Sequence, residues 1–317
     1  MARSDAITAE RYLDPESLAR LGSFDLRAKM IVEGIRSGMH ESPYHGVSVE
    51  FAQHRPYVQG DDLRHLDWKV FGRSDKLHLK QFEQETNLDV VLLVDSSGSM
   101  SFGSLKVEVE GGERTWTKFD HATSTAAAIS YLAVQQQDRV GMVVFADGIR
   151  TIVARSSARG HWRQLVSALN THTVEHPTNL ARCVDQTLGK VSNRVLMVIV
   201  SDFFDDLGLV RTAFARARHR GHDIIALQTL DRQEMRFDFR NAAPFEGLES
   251  EGRVNLDPRS IRKEYLAALR EHCRGLESVA RSFGFDYQRL DTHEPIGPTL
   301  SHFLARRVSS MRKGRRR

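Results

Sequence analysis

Four short, wholly apolar runs, separated by stretches long enough to be helices, constrain this chain more than any other feature. They are VVLLV in LDVVLLVD (88–95), the core of RVGMVVFAD (139–147), VLMVIV in NRVLMVIVSD (193–202) and the core of HDIIALQTL (222–230). A strand wetted on one face alternates apolar with polar residues, whereas one buried on both faces is apolar throughout. Between the runs lie amphipathic segments. In 118–137, Phe119, Ala122, Ala126, Ile129 and Ala133 recur at spacings of three and four, one face of a helix. Segments 179–190, 206–219 and 258–283 also read as helices, the last opening on Asp257-Pro258, an N-cap acid followed by proline at the first helical position. Alternation of this kind predicts an α/β fold with a doubly wound, Rossmann-like, open parallel sheet covered on both faces.

Two regions interrupt the alternation. In 40–85, Val47, Val49 and Phe51 of GVSVEF and Leu77, Leu79 and Gln81 of KLHLKQF fall at period two, so this part reads as strands. Segment 231–257 is too polar and too alternating for a helix, and both regions are assigned to a small β-rich elaboration that meets in space. KVEVEGGERTW reads as a hairpin turning at Gly111 and Gly112. The expected organisation is a helical lead and β-rich block over 1–85, the main domain over 86–306, with 231–257 joining the elaboration, and a basic tail over 307–317.

Composition removes several classes. With 45 Lys and Arg against 41 Asp and Glu, and part of the +4 excess in the terminal MRKGRRR, the body is close to neutral. That tail reads as a solvated terminus, since no recognition motif or interleaved aromatics mark a nucleic-acid binder. The two cysteines, Cys183 and Cys273, lack the spacing of a disulfide framework or a zinc site. No apolar run approaches the roughly 18 residues of a membrane span, and the N-terminus has no signal-peptide core, so a cytoplasmic setting is expected.

The first and third of these segments end in Asp95 and Asp202. In a doubly wound sheet, ligands gather at the carboxyl ends of the strands, where loops converge at a topological switch point. Asp95, Ser97 and Ser99 of DSSGS lie there, with Asp202 ending VLMVIVSD and Thr178 in the loop HPTNL that opens a helix. Two carboxylates and three hydroxyls form a hard, all-oxygen donor set, suited to Mg²⁺ or Mn²⁺ and poorly suited to zinc. A tight turn eased by Gly98 is expected to aim residues 95, 97 and 99 at one point.

These residues also carry a resemblance. DSSGS at 95–99, Thr178 in PTNL and Asp202 in VSDFF are similar to the three-part metal-ion-dependent adhesion site of von Willebrand factor type A domains. The resemblance implies that Ser97, Ser99 and Thr178 reach the ion directly or through water. Asp95 and Asp202 then act largely through water or the hydroxyls, and one open position takes an acidic residue of a partner protein. The block GMHESPYHGVSVEFAQHRPYVQGDDLRHLDWKVFGRSDKLHLKQFEQE (38–85), with the later LESEGRVNLDPRSIRKEYLAAL, resembles the bacterial proteins catalogued as domain of unknown function 58, over about 12–306. The chain is similar to their short, cytosolic members, which lack the membrane helices of longer relatives. By that resemblance its partners are a MoxR-type AAA+ ATPase and a client protein, in chaperone-like remodelling or maturation.

Each motif has an ordinary alternative. A lone Asp-x-Ser-x-Ser often only caps a helix, or is a vestigial metal site on a scaffold. Arg55, Asp61, Asp62, Arg64, Asp67 and Arg73 read as a structural ion-pair network or as a partner interface anchored by Trp68. His40, His45 and His54 match no ligand motif. Phe102 and Trp116 either pack the hairpin or line the clasp. An enzyme is the competing class: a Mg²⁺-dependent phosphohydrolase would use Asp95 as nucleophile, but position 97 is serine where such enzymes place an acid. No GxSxG elbow and no GxxxxGK[ST] loop occurs. A non-catalytic, metal-dependent binding module is the reading the sequence favours.

Overall fold

The computed structural model describes residues 51–58, 66–82, 88–109, 112–158, 160–170, 173–239, 243–246, 248 and 253–297. The chain divides into two compact units, one of them Met39–Asn87. In this smaller unit β1 (Phe51–Pro56) pairs antiparallel with β2 (His78–Phe82). Between them, helix α1 (Trp68–Ser74) corrects the all-strand reading of 40–85. It forms because Asp67 caps it: the carboxylate accepts the N–H groups of Lys69 (3.0 Å) and Val70 (3.2 Å). Asp67 is therefore a buried cap, while Arg73 is exposed and Trp68 is 66% exposed with its ring edge-on to Phe71. Asp61, Asp62, Arg64, His40, His45, the side chains of Arg55 and His54, and the tail 307–317 lie outside the described residues.

The larger unit is built on a six-stranded sheet in the order β12-β9-β8-β3-β6-β7. Its members are β3 (Asp89–Asp95), β6 (Arg139–Phe145), β7 (Ile149–Ser156), β8 (Leu196–Ser201), β9 (Asp223–Leu230) and β12 (Asp286–Asp291). The four apolar runs form the centre, all mutually parallel. Edge strand β7 runs antiparallel to β6, so the sheet is mixed rather than wholly parallel. Between β3 and the helix that starts at Lys118 stands the hairpin of β4 (Leu105–Val109) and β5 (Gly112–Trp116), in which Gly112 is the first paired residue, opposite Val109. Segment 231–257 holds a short helix, α6 (Arg232–Arg236), as well as the antiparallel pair β10 (Ala243–Glu246) and β11 (Arg253–Leu256). The helix-free reading of that segment is thereby corrected: Asp231 and Glu234 form a reciprocal capping box that starts a helix even in polar sequence.

Helices cover both faces. On one lie α4 (Leu180–Lys190), α5 (Leu207–His219) and α7 (Pro258–Ser282), which bury Val91, Leu93, Phe145, Met197 and Ile199 beneath Leu180, Val184, Phe214 and Leu276. On the other, α2 (Lys118–Gln135) packs on β3, β6, β8 and β9, with α3 (His161–Asn170) beside it. Alternate residues of each strand serve opposite faces, so every central strand must be apolar throughout. Each fully buried Leu or Val contributes roughly 1.5–3 kcal/mol. Helix α2 is enclosed almost all round, not on one face as its five-residue stripe predicts. Three of its buried hydroxyls are satisfied within the helix: Thr123, Thr125 and Ser130 donate to the carbonyls of Phe119, His121 and Ala127, while that of Ser124 has no hydrogen-bond partner. Asp257 caps α7 with Pro258 at its start, as expected. Cys183 and Cys273 are separate, buried thiols.

Candidate functional site

Strand order places the switch point at β3. The chain leaves β3 for β6 on one side and later returns to β8 on the other, so the carboxyl ends of β3 and β8 open a crevice between diverging connections. Asp95 is the last residue of β3 and Asp202 follows the last residue of β8; both are fully buried. The loop after β3 turns into a 3₁₀ segment, Gly98–Ser101, with Ser97 at its N-cap. Gly98 does not use left-handed backbone to make this turn; its N–H instead donates to the His176 carbonyl (2.8 Å). That bond, with the Glu175 N–H on the Ser96 carbonyl, ties loop 173–179 to the first loop and brings Thr178 to the crevice. Asn179 then caps α4.

The five sequence-predicted residues thus converge. The hydroxyls of Ser97 and Ser99 are 3.1 Å apart, the Ser97 N–H donates to Asp95 Oδ1 (2.8 Å), and the Thr178 hydroxyl faces Asp95 Oδ2 at 3.4 Å. Ser201, which the sequence reading missed, donates its hydroxyl to the same Oδ2 at 2.5 Å and accepts the Phe203 N–H. Asp202 accepts the Phe204 N–H on Oδ1 (3.2 Å) and the Lys118 ammonium on Oδ2 (2.8 Å). Lys118 and its second acid, Glu234, were also missed. Trp116, the last residue of β5, is fully buried, which makes it packing, and Phe102 is half-buried.

Electrostatics distinguish the two aspartates. Burial, and then the charge of Asp202, push the Asp95 carboxyl up to about 7 against the pull of the Ser201 and Ser97 donors. Among the described residues no basic side chain pairs with Asp95, whereas Asp202 has Lys118. Two non-glycine residues flanking the crevice, Phe203 (φ 58°) and His176 (φ 75°), hold left-handed backbone. Such strain concentrates where a loop is held for function. The Phe203 turn is fixed by the Ser201 bond on its N–H and by His272 Nε2 on its carbonyl (2.8 Å).

As a donor set this is oxygen alone: three hydroxyls and two carboxylates around a buried acid that lacks a cation. No group of three or more His, Cys, Asp and Glu side chains able to hold an ion occurs among the described residues. Oxygen donors of this kind, in Ser97, Ser99, Thr178, Asp95 and Asp202, suit a hard divalent ion better than a nitrogen- or sulfur-seeking one.

Residues 53–275 match the model of a family described as Protein of unknown function DUF58. The chain belongs to that family. Over 301 residues it is 27% identical to Uncharacterized protein Mb1516 of Mycobacterium bovis, across 93% of this chain and 90% of the relative. Uncharacterized protein Rv1480 of Mycobacterium tuberculosis matches equally, at 27% over the same shares. Solved structures resembling this DUF58 chain include the conserved hypothetical protein BatB from Bacteroides thetaiotaomicron, at 16% identity and TM-score 0.46, covering 72% of this chain and 100% of that one. Another is the SpRpn10 VWA domain, at 10% identity and TM-score 0.40, covering 68% and 95%. The family and the mainly parallel, helix-flanked sheet agree with the family resemblance and the doubly wound α/β reading of the sequence. No helix of the described residues is long and apolar enough to cross a membrane.

Proposed function

We propose that this DUF58 chain is a metal-dependent protein-recognition module in which Ser97, Ser99 and Thr178, with Asp95 and Asp202 behind them, hold one Mg²⁺ or Mn²⁺. The observation that carries the reading is the convergence of three hydroxyls on a fully buried Asp95 that lacks a basic partner, at the switch point of the sheet. An ion held largely by neutral oxygens would keep most of its charge and attract a carboxylate of a partner protein. The chain's own residues do the rest. Ser97 N–H and Ser201 orient Asp95, and the Phe203 turn fixes Asp202. The loop 173–179 holds Thr178 against Asp95. Nothing in this arrangement requires bond-making chemistry, because no proton donor of the kind a phosphohydrolase needs stands two residues after Asp95. The family resemblance extends the proposal to a MoxR-type AAA+ ATPase as partner and to a client protein that the pair remodels.

Wild-type protein and Asp95→Ala should be compared for Mn²⁺ binding by calorimetry and for protein capture from lysate in Mg²⁺ and in EDTA. The expected outcome is ion binding and partner retention by wild type in metal alone, both lost in Asp95→Ala. Retention that ignores metal and substitution alike overturns the clasp.

A further inference from the structure

Lys118 is a buried cation beside the site. Its side chain is 1% exposed, so an ammonium has been taken out of water, and it stands at the first position of α2, where the helix dipole disfavours a cation. Burial works against the charge, but Asp202 and Glu234 outweigh it and hold Lys118 protonated, its pKa above the ordinary lysine value. The ammonium donates to Asp202 Oδ2 and to Glu234 Oε1, each at 2.8 Å, and lies over the Phe204 ring at 5.1 Å. Sequence neighbours do not bring these together; the contacts span 84 and 116 residues.

One carboxylate is enough to neutralise a buried lysine, and Glu234 already supplies it. The second partner is the acid that closes the ion site. Lys118 thus bonds two carboxyl groups, Asp202 and Glu234, and a third, Asp95, stands close enough to feel Asp202, so acidic groups outnumber the one ammonium.

We infer that Lys118 is a built-in counter-cation of the ion site: its ammonium holds Asp202 before an ion arrives, then opposes the ion's charge, so that the ion binds weakly enough to exchange. Glu234 sets how strongly it does so, by drawing part of the ammonium's charge away from Asp202. This rests on the reading that these residues hold a divalent ion. A tethered cation makes a distinctive prediction, because deleting a residue that merely braced the site would weaken ion binding, whereas deleting an opposing charge strengthens it.

The test is Mn²⁺ affinity by calorimetry for wild type, Lys118→Gln, Lys118→Met and Glu234→Gln, with thermal melting in EDTA and in Mn²⁺. Both lysine variants should bind Mn²⁺ about tenfold or more tightly than wild type, melt lower in EDTA, and gain more from the ion. Glu234→Gln should bind it several-fold more weakly. Unchanged or weakened affinity in the lysine variants overturns the inference while leaving the ion site standing; a wild type that binds no Mn²⁺ overturns both. If neither lysine variant folds in EDTA, folding restored by Mn²⁺ supports the counter-cation, since the ion then supplies the missing charge, and failure to fold in both conditions removes it.

Discussion

Two fully buried aspartates stand at the same edge of the sheet, and they are treated in opposite ways. Asp231, following β9, accepts four hydrogen bonds: from Ser104 N–H (3.0 Å) and hydroxyl (2.5 Å), Gln233 N–H (2.8 Å) and the Thr292 hydroxyl (2.8 Å). Burial pushes its carboxyl up, but those donors outweigh it and hold the pKa below the ordinary value. Asp95, at the end of β3, has fewer close donors and a second carboxylate beside it, and its pKa is raised. A carboxylate whose lone pairs are filled by the fold is a clamp, here joining the segment before β4 to the ends of β9 and β12. One left short of positive charge is a site. Glu234 links the clamp to Lys118, accepting the Asp231 N–H on one oxygen and the Lys118 ammonium on the other.

The largest effect that would break this contrast is on stability. Asp231→Ala leaves four donors without their acceptor and should cost about 3 kcal/mol or more, by urea denaturation in EDTA. Asp95→Ala under the same conditions should cost less than about 1 kcal/mol, since losing the acceptor of Ser201 is offset by relief of repulsion from Asp202. Equal costs would mean that both aspartates are clamps.

A second effect, of about 2 to 3 kcal/mol, has a pH signature on the clamp side. His121 in α2 is buried, its Nδ1 has no hydrogen-bond partner, and burial lowers its pKa to about 4 against the pull of Asp291 and Asp120 and with the push of His293. Its folded pKa lies below the unfolded value of 6.5, so the stability it contributes is present above 6.5 and is lost as pH falls toward 4. Denaturation midpoints measured between pH 7.5 and 4 should fall accordingly in wild type and fall less in His121→Gln. Parallel profiles would show that the imidazole takes its proton without cost.

What the sequence made legible follows from where each residue is used. The central strands are buried on both faces, so hydrophobicity alone marked them, and strand-end logic then found Asp95, Thr178 and Asp202. Edge strands β7 (IRTIVARS) and β12 (DYQRLD) each have a partner on one side only and keep polar residues, so they carried no apolar run. Helix α6 was legible in principle, through the Asp231 to Glu234 capping box, but its polar surroundings masked it. Ser201 sits beside Asp202 with no motif of its own. Lys118 and Glu234 carried no motif, because their role exists only once segments far apart in sequence meet. The one available signal was a lysine opening a helix, the wrong charge for that end.

The smallest expected effect sharpens the contrast most. Thr178 is half-buried on a surface loop, and its hydroxyl stands 3.4 Å from Asp95 Oδ2, longer than an ordinary hydroxyl hydrogen bond. Thr178→Ala in EDTA should therefore change stability by under about 0.5 kcal/mol. If the hydroxyl is a ligand, the same substitution should remove most of the rise in melting temperature that Mg²⁺ or Mn²⁺ gives wild type, since a ligand stabilises only in proportion to its affinity for the folded chain. A residue nearly silent in EDTA and decisive in metal has no structural explanation, whereas a clamp residue such as Thr292, which bonds Asp231 at 2.8 Å, should show its full cost in both conditions. Should Thr178→Ala shift the EDTA and metal curves alike, the hydroxyl belongs to the fold, and the crevice at β3 is only a second, looser version of the clamp at β9.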